Sequence, residues 1–173
     1  GMKYRTVGLA TNVLTEMGMV VRNLPGSEIQ PAMKSGLIDA AEYNNPTSDR
    51  NFGMHDVSKH YHLGSFHQSQ EMFEVPMNKK KYNSMSPAHQ AILKNAAYAA
   101  NSANYFKALF RYSSDLSKFL NESKVNVHET SDAILAQQLK GWDKVIKDFS
   151  NKDAHFKKII DSQKAYAKKV MKY

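Results

Sequence analysis

Three short apolar runs, separated by two short helical stretches, fill the first forty or so residues of the chain. This pattern constrains the fold more than any other feature. Residues 3–7, 19–23 and 37–41 read as strands. Gly8 to Met17 reads as a helix, with Leu9, Val13, Leu14 and Met17 on one face. Ser27 to Ser35 reads as a second helix. Ser27 is its expected N-cap, Gln30 is placed for a capping box, and Gly36 marks the end. The alternation β-α-β-α-β predicts an α/β fold with a parallel-type sheet and right-handed crossovers.

The third run leads into Glu42, Tyr43, Asn44 and Asn45, closed by Pro46. A carboxylate, a phenol and two amides at the C-terminal end of a strand stand where α/β folds gather ligand groups. Residues 45–60 read as a polar helical connection, and Tyr61–Gln68 and Met72–Met77 as strand-like. Ser86-Pro87 opens a long helix to about Leu120, in which Ile92, Leu93, Ala96, Ala100, Ala103, Phe106, Phe110 and Leu120 repeat at helical spacing. Residues 125–127 are extended. Ser131 and Asp153 are placed to cap two C-terminal helices.

At 173 residues the chain can bury a core, and one folded unit is the expectation. Cysteine is absent, which is compatible with an exported protein but does not require one. The formal charge is +8. Ten lysines against four aspartates from Lys140 onward carry most of it, so basicity belongs to the C-terminal helices. A lysine face of this kind, with little aromatic interleaving, reads as solvated surface rather than a nucleic-acid footprint. No Gly-x-Ser-x-Gly, phosphate-binding loop or dinucleotide fingerprint occurs, and an enzyme is not expected. His60 and His62 point the same way on a strand and, with His55 and Glu42, make zinc chemistry a rival reading. A basic helical protein that binds an anionic partner is another.

In one order along the chain stand Lys3-Tyr4-Arg5-Thr6, Gly8-Leu9-Ala10, LPGSEIQPAMKSGLIDAAE at 24–42, Phe66-His67-Gln68 and MNKKKYNSM at 77–85. The series resembles the C-terminal half of the DctP-type periplasmic solute receptors of TRAP transporters, in the branch that takes keto acids and related organic acids. The resemblance implies a periplasmic-binding-protein-like fold: an α/β lobe at 3–70 carrying the ligand motifs, then 71–173 as a remnant of the other lobe with the long helix and the C-terminal helices. It also implies that the first half of the family fold, with its export signal, is missing. The chain then reads as a fragment or a truncated gene product, with Gly1-Met2 as a start methionine behind a residue left by cloning. A remnant without ligand binding is the accompanying alternative.

Site roles follow from the same resemblance. Arg5 matches the arginine that anchors a ligand carboxylate, for which a planar two-pronged donor is suited. The alternative for Arg5 is a plain ion pair with a nearby acid. Glu42, Tyr43 and Gln68 match positions around a sodium or calcium ion that bridges to the ligand, with Asn44 and Phe66 beside it. Implied partners are a small organic acid and the membrane permease subunits. Nucleic acid is not among them. Loss of a lobe implies exposed apolar surface and, in turn, a homo-oligomer of the isolated chain through the 86–120 helix.

Overall fold

The computed structural model describes residues 1–67 and 73–171. It divides into two compact units that interleave along the chain. One comprises 1–43, 61–69 and 128–173, the other 44–60 and 70–127. The last two helices fall in the same unit as the N-terminal sheet.

In the first unit, β1 (Lys3–Arg5), α1 (Ala10–Glu16), β2 (Val20–Arg22), α2 (Gly26–Lys34) and β3 (Ala40–Ala41) follow each other. The sheet order is β2-β1-β3, and both pairings are parallel. Lys3 stands opposite Val20, and Arg5 opposite Arg22 and Ala41. The expected β-α-β-α-β alternation is therefore the observed one, with shorter strands. Two local expectations need correction. The second helix begins at Gly26 with Pro25 as N-cap and no side-chain cap, so Ser27 and Gln30 form no capping box there. A proline already supplies the restricted backbone that starts the turn. Residue 37 lies outside β3 and Leu37 is exposed, whereas Ile38 is buried. Gly36, at φ +75°, makes the left-handed turn that ends α2.

The core of this unit is Val13, Leu14, Ile29, Ile38 and Val145, with Ala10 and Ala32. Helix α7 (Asp132–Lys152) packs on α1 and on α8 (Ala154–Val170). Gly141 allows the first contact: a Cβ there would lie 3.1 Å from Val13 Cγ1 and 3.4 Å from its carbonyl oxygen. Asp153 caps α8 by accepting from the His155 and Phe156 amides, as its position in the sequence predicts.

The second unit holds α3 (Pro46–Asn51), α4 (Met54–Val57), α5 (Lys79–Asn83) and the 35-residue α6 (Pro87–Asn121). Asn45 caps α3 in a full capping box with Ser48. Helix α3 packs on α6, where Arg50 reaches Asp115 at 3.6 Å and Glu122 at 3.3 Å. Among its described residues, Phe119 and Val125 are the buried apolar side chains. Of the periodic apolar positions of α6, Ile92, Phe106, Phe110 and Leu120 are exposed, along with Tyr98, Tyr105 and Leu109. The expected strand at Met72–Met77 is also absent over 73–77, and Met72 lies outside the described residues. Phe73, Val75 and Met77 alternate along that segment and are all exposed. Alternation makes a strand only where a partner supplies the hydrogen bonds. Strands β4 (His60–Leu63) and β5 (Asn126–Glu129) pair with each other.

No helix among the described residues is long and apolar enough to cross a membrane.

Candidate functional site

The parallel order β2-β1-β3 brings three strand ends together at one side chain. Arg5 is the last residue of β1 and is 4% exposed. Its Nε donates to the Leu24 carbonyl beyond β2, at 2.8 Å. Its Nη1 donates to the Glu42 carbonyl beyond β3 at 2.6 Å and to Glu42 Oε1 at 3.0 Å. One guanidinium thus joins the C-terminal ends of the outer strands to the central one. A buried charge is tolerated when it is paired and its donors are satisfied, and both conditions hold on this side of Arg5. No acceptor among the described residues is bonded to Nη2.

Glu42 is the centre of the cluster. Oε1 accepts from Arg5 and from the Thr6 hydroxyl at 2.9 Å, and Thr6 is itself buried. Oε2 lies 3.2 Å from His67 Nε2. The Tyr43 ring stands 5.9 Å from the Arg5 guanidinium carbon, a cation-π approach. Gly26 leaves the room for that ring. A Cβ there would stand 2.5 Å from Tyr43 Cε2, closer than any side chain tolerates.

The candidate residues separate into three groups. Arg5, Glu42 and Tyr43 meet in the first unit, and Phe66 lies on the adjoining loop beside His67 and is exposed. Asn44 belongs to the second unit, where its amide donates to Asp49 Oδ1 at 3.3 Å and its side chain accepts from Asn45 at 2.6 Å. Gln68 lies outside the described residues. The acid that pairs with Arg5 proves to be Glu42, the other main candidate. The pairing of His67 with Glu42 is not legible in the sequence, because the two residues stand 25 apart and meet through the fold.

A cation at Glu42 would be held by a hard carboxylate oxygen, as sodium and calcium prefer. Oε2, whose hydrogen-bond partner among the described residues is His67, is the oxygen that could take it. One carboxylate does not complete such a shell, so backbone carbonyls, Gln68 or oxygens of a ligand would have to join it. Zinc at the histidines has no support. Among the described residues no group of three or more His, Cys, Asp or Glu could hold a metal. His62 stacks on His128 at 4.8 Å, and His55 lies against Phe119 at 5.8 Å.

Tyr4 shares the field of this cluster. Burial, and then the Glu42 carboxylate, push its phenol up to about 12, with Arg5 working the other way. A raised folded-state value means the neutral phenol is favoured in the fold. That stability is fully present below the ordinary value of 10.0 and is lost as pH rises from there through about 12. Alkaline denaturation should therefore begin near pH 10, and ultraviolet titration should show one late-ionising tyrosine. Tyr4→Phe should remove both effects. A variant that keeps the wild-type alkaline profile would show that Tyr4 is not responsible.

The model of the DctP family, described as bacterial extracellular solute-binding protein family 7, matches residues 1–153. A monocarboxylate 2-oxoacid-binding periplasmic protein of Nostoc sp. is 29% identical over 172 residues, which is 98% of this chain and 46% of that protein. The chain also superposes on a TRAP periplasmic solute-binding protein from Colwellia psychrerythraea, with bound calcium and pyruvate. The TM-score is 0.83 at 25% identity, covering 99% of this chain and 52% of that one. A TRAP periplasmic solute-binding protein from Pseudoalteromonas atlantica T6c, with bound sodium and pyruvate, gives 0.82 at 25% identity over the same shares. The chain therefore spans about half the length of the relatives it matches.

Proposed function

The chain belongs to the DctP family of bacterial extracellular solute-binding proteins, and on that premise we propose that it supplies one ligand-holding wall of a TRAP-type receptor. The receptor captures a small monocarboxylate or 2-oxo acid in the periplasm and passes it to membrane permease subunits. The observation that carries this reading is the meeting of Arg5, Glu42 and Tyr43 at the strand ends, in the fold of relatives that hold pyruvate. Arg5 presents Nη2 to the ligand carboxylate. Glu42 holds sodium or calcium between itself and the ligand oxygens, with Tyr43 and Gln68 alongside and Phe66 as a further ligand contact.

Calorimetry with pyruvate tests the reading, in sodium, in calcium and in neither. It is run on this chain and on a receptor completed with the other half of the family fold. The chain alone should bind weakly, since an open, wet site screens its charges and orders its ligand at full entropic cost. The completed receptor should bind measurably, and binding should depend on the cation. A completed receptor that takes up no pyruvate under any of these conditions would overturn the proposal.

Glu42→Gln should then weaken pyruvate binding more than Tyr43→Phe. It removes the cation's carboxylate, whereas loss of the phenol hydroxyl leaves the aromatic wall. Equal affinities for the two variants in every ionic condition would remove the cation from the site.

The isolated chain is also proposed to self-associate through α6. No charged residue lies between Lys94 and Lys107, and Tyr98, Tyr105, Phe106, Leu109 and Phe110 are exposed. Apolar surface of this extent on a helix is normally covered. Light scattering on size-exclusion peaks should give a dimer or larger, dispersed by Phe106→Lys with Phe110→Lys. A mass of one chain at high protein concentration would count against it.

A further inference from the structure

The loop after β4 that brings Phe66 and His67 to Glu42 is gripped from one direction by α7. Gln138 and Trp142, one helical turn apart, bind both backbone groups of Phe66. Its amide donates to Gln138 Oε1 at 2.7 Å, and its carbonyl accepts from Trp142 Nε1 at 2.6 Å. Gln138 Oε1 accepts a second time, from the Ser65 hydroxyl at 3.1 Å. A backbone amide can only donate, so the atom facing it is the amide oxygen of Gln138. Ser65 has one hydroxyl proton, which goes to that oxygen or to His67 Nδ1 according to the imidazole tautomer. Its Oγ is then an acceptor for the His67 amide at 3.2 Å and pairs with His67 Nδ1. The imidazole is thereby held at both nitrogens, by Ser65 on one side and by Glu42 Oε2 on the other.

Gln138 is buried, with 7% exposure, while the residue it serves is 42% exposed. Water could satisfy the Phe66 amide at such a position. Burying a polar side chain to do so is unfavourable unless the hydrogen bonds hold a particular loop conformation.

We propose that Gln138 and Trp142 are positioning residues for the ligand site, which act through Ser65, Phe66 and His67 on the geometry at Glu42. The proposal rests on the reading of that site as a solute-binding wall. Neither residue touches the ligand.

Gln138→Met keeps the bulk and removes the acceptor, whereas Gln138→Glu keeps an acceptor oxygen. Imidazole nitrogen and proton resonances of His67, measured on the ligand-free chain, should shift or broaden in Gln138→Met. They should stay near wild type in Gln138→Glu. Pyruvate affinity of the completed receptor should fall about 10- to 100-fold in Gln138→Met, the range seen when a supporting shell is removed. Trp142→Phe keeps the ring mass, loses one hydrogen bond, and should act in the same direction should Gln138→Met fold poorly. His67 resonances unchanged in both Gln138→Met and Trp142→Phe would overturn the proposal. The resonance measurement needs no ligand, so it decides the positioning role even if the receptor proves not to bind pyruvate.

Discussion

Arg5→Met should lower the stability of the chain by about 3–5 kcal/mol, the range for removing one partner of a buried ion pair. The pair is buried on both sides, with side-chain exposures of 4% and 11%. Removing the guanidinium does more than delete one attraction. It strands the Glu42 carboxylate with Thr6 and His67 as its remaining partners among the described residues. It also removes the donor shared by the Leu24 and Glu42 carbonyls at the ends of β2 and β3. Urea unfolding followed by fluorescence of the single tryptophan, Trp142, reports on the unit concerned. Adding Glu42→Gln to Arg5→Met should recover part of the loss, because the orphaned charge is then gone. A single-variant loss below about 1 kcal/mol would show that the pair behaves as an exposed one. In the completed receptor the same variant should also weaken pyruvate binding by about 2–5 kcal/mol. Arg5 thus joins the strand ends, and holding the ligand is the second role proposed for it. The double variant separates them, since it recovers part of the stability without restoring a ligand donor.

Phe119→Ala should cost about 3–5 kcal/mol in the second unit, as large aromatic deletions from a well-packed site do. Phe119 is 1% exposed and heads the fully buried side chains by size. It lies against the His55 ring at 5.8 Å. With Val125 it accounts for the buried apolar side chains of that unit's described residues, so little else offsets its loss. Hydrogen exchange reads the effect directly: amide protection in α3 and α6 should fall. Protection unchanged in both helices would mean that α6 is held by something other than this contact.

Much of the fold is legible in the sequence because it depends on near neighbours. Asn45 and Ser86 cap helices because each stands one residue before a proline that cannot donate and suits a first turn. Gly36 ends α2 because a residue without Cβ reaches positive φ at little cost. The strand-helix alternation from Lys3 to Ala41 predicts the parallel sheet because crossover connections leave few other topologies. Ser27 misled for a local reason too: a serine before a helical pattern resembles an N-cap, but Pro25 had already begun the turn. Met72–Met77 misled for a non-local one. Its alternation is that of a strand, yet among the described residues it has no neighbour to complete a ladder.

The candidate site divides along the same line. Glu42 could be singled out by residue type at a strand end, and Arg5 by the family resemblance. Their mutual pairing could not, because it depends on β1 lying between β2 and β3 and joins residues 37 apart. His67 and Gln138 were harder still. The one available sign was a glutamine at position 138 in phase with Gly141 and Val145, on the face that α7 buries. A polar residue on an apolar face announces a hydrogen-bond partner without naming it. The partner, Phe66, is 72 residues away, and only the packing of α7 into the N-terminal unit brings them within reach. Local chemistry is written in short windows, because caps, turns and periodicity act over a few residues. The arrangement around Glu42 depends on which distant segments share a surface, and burial decides that only when the chain is folded.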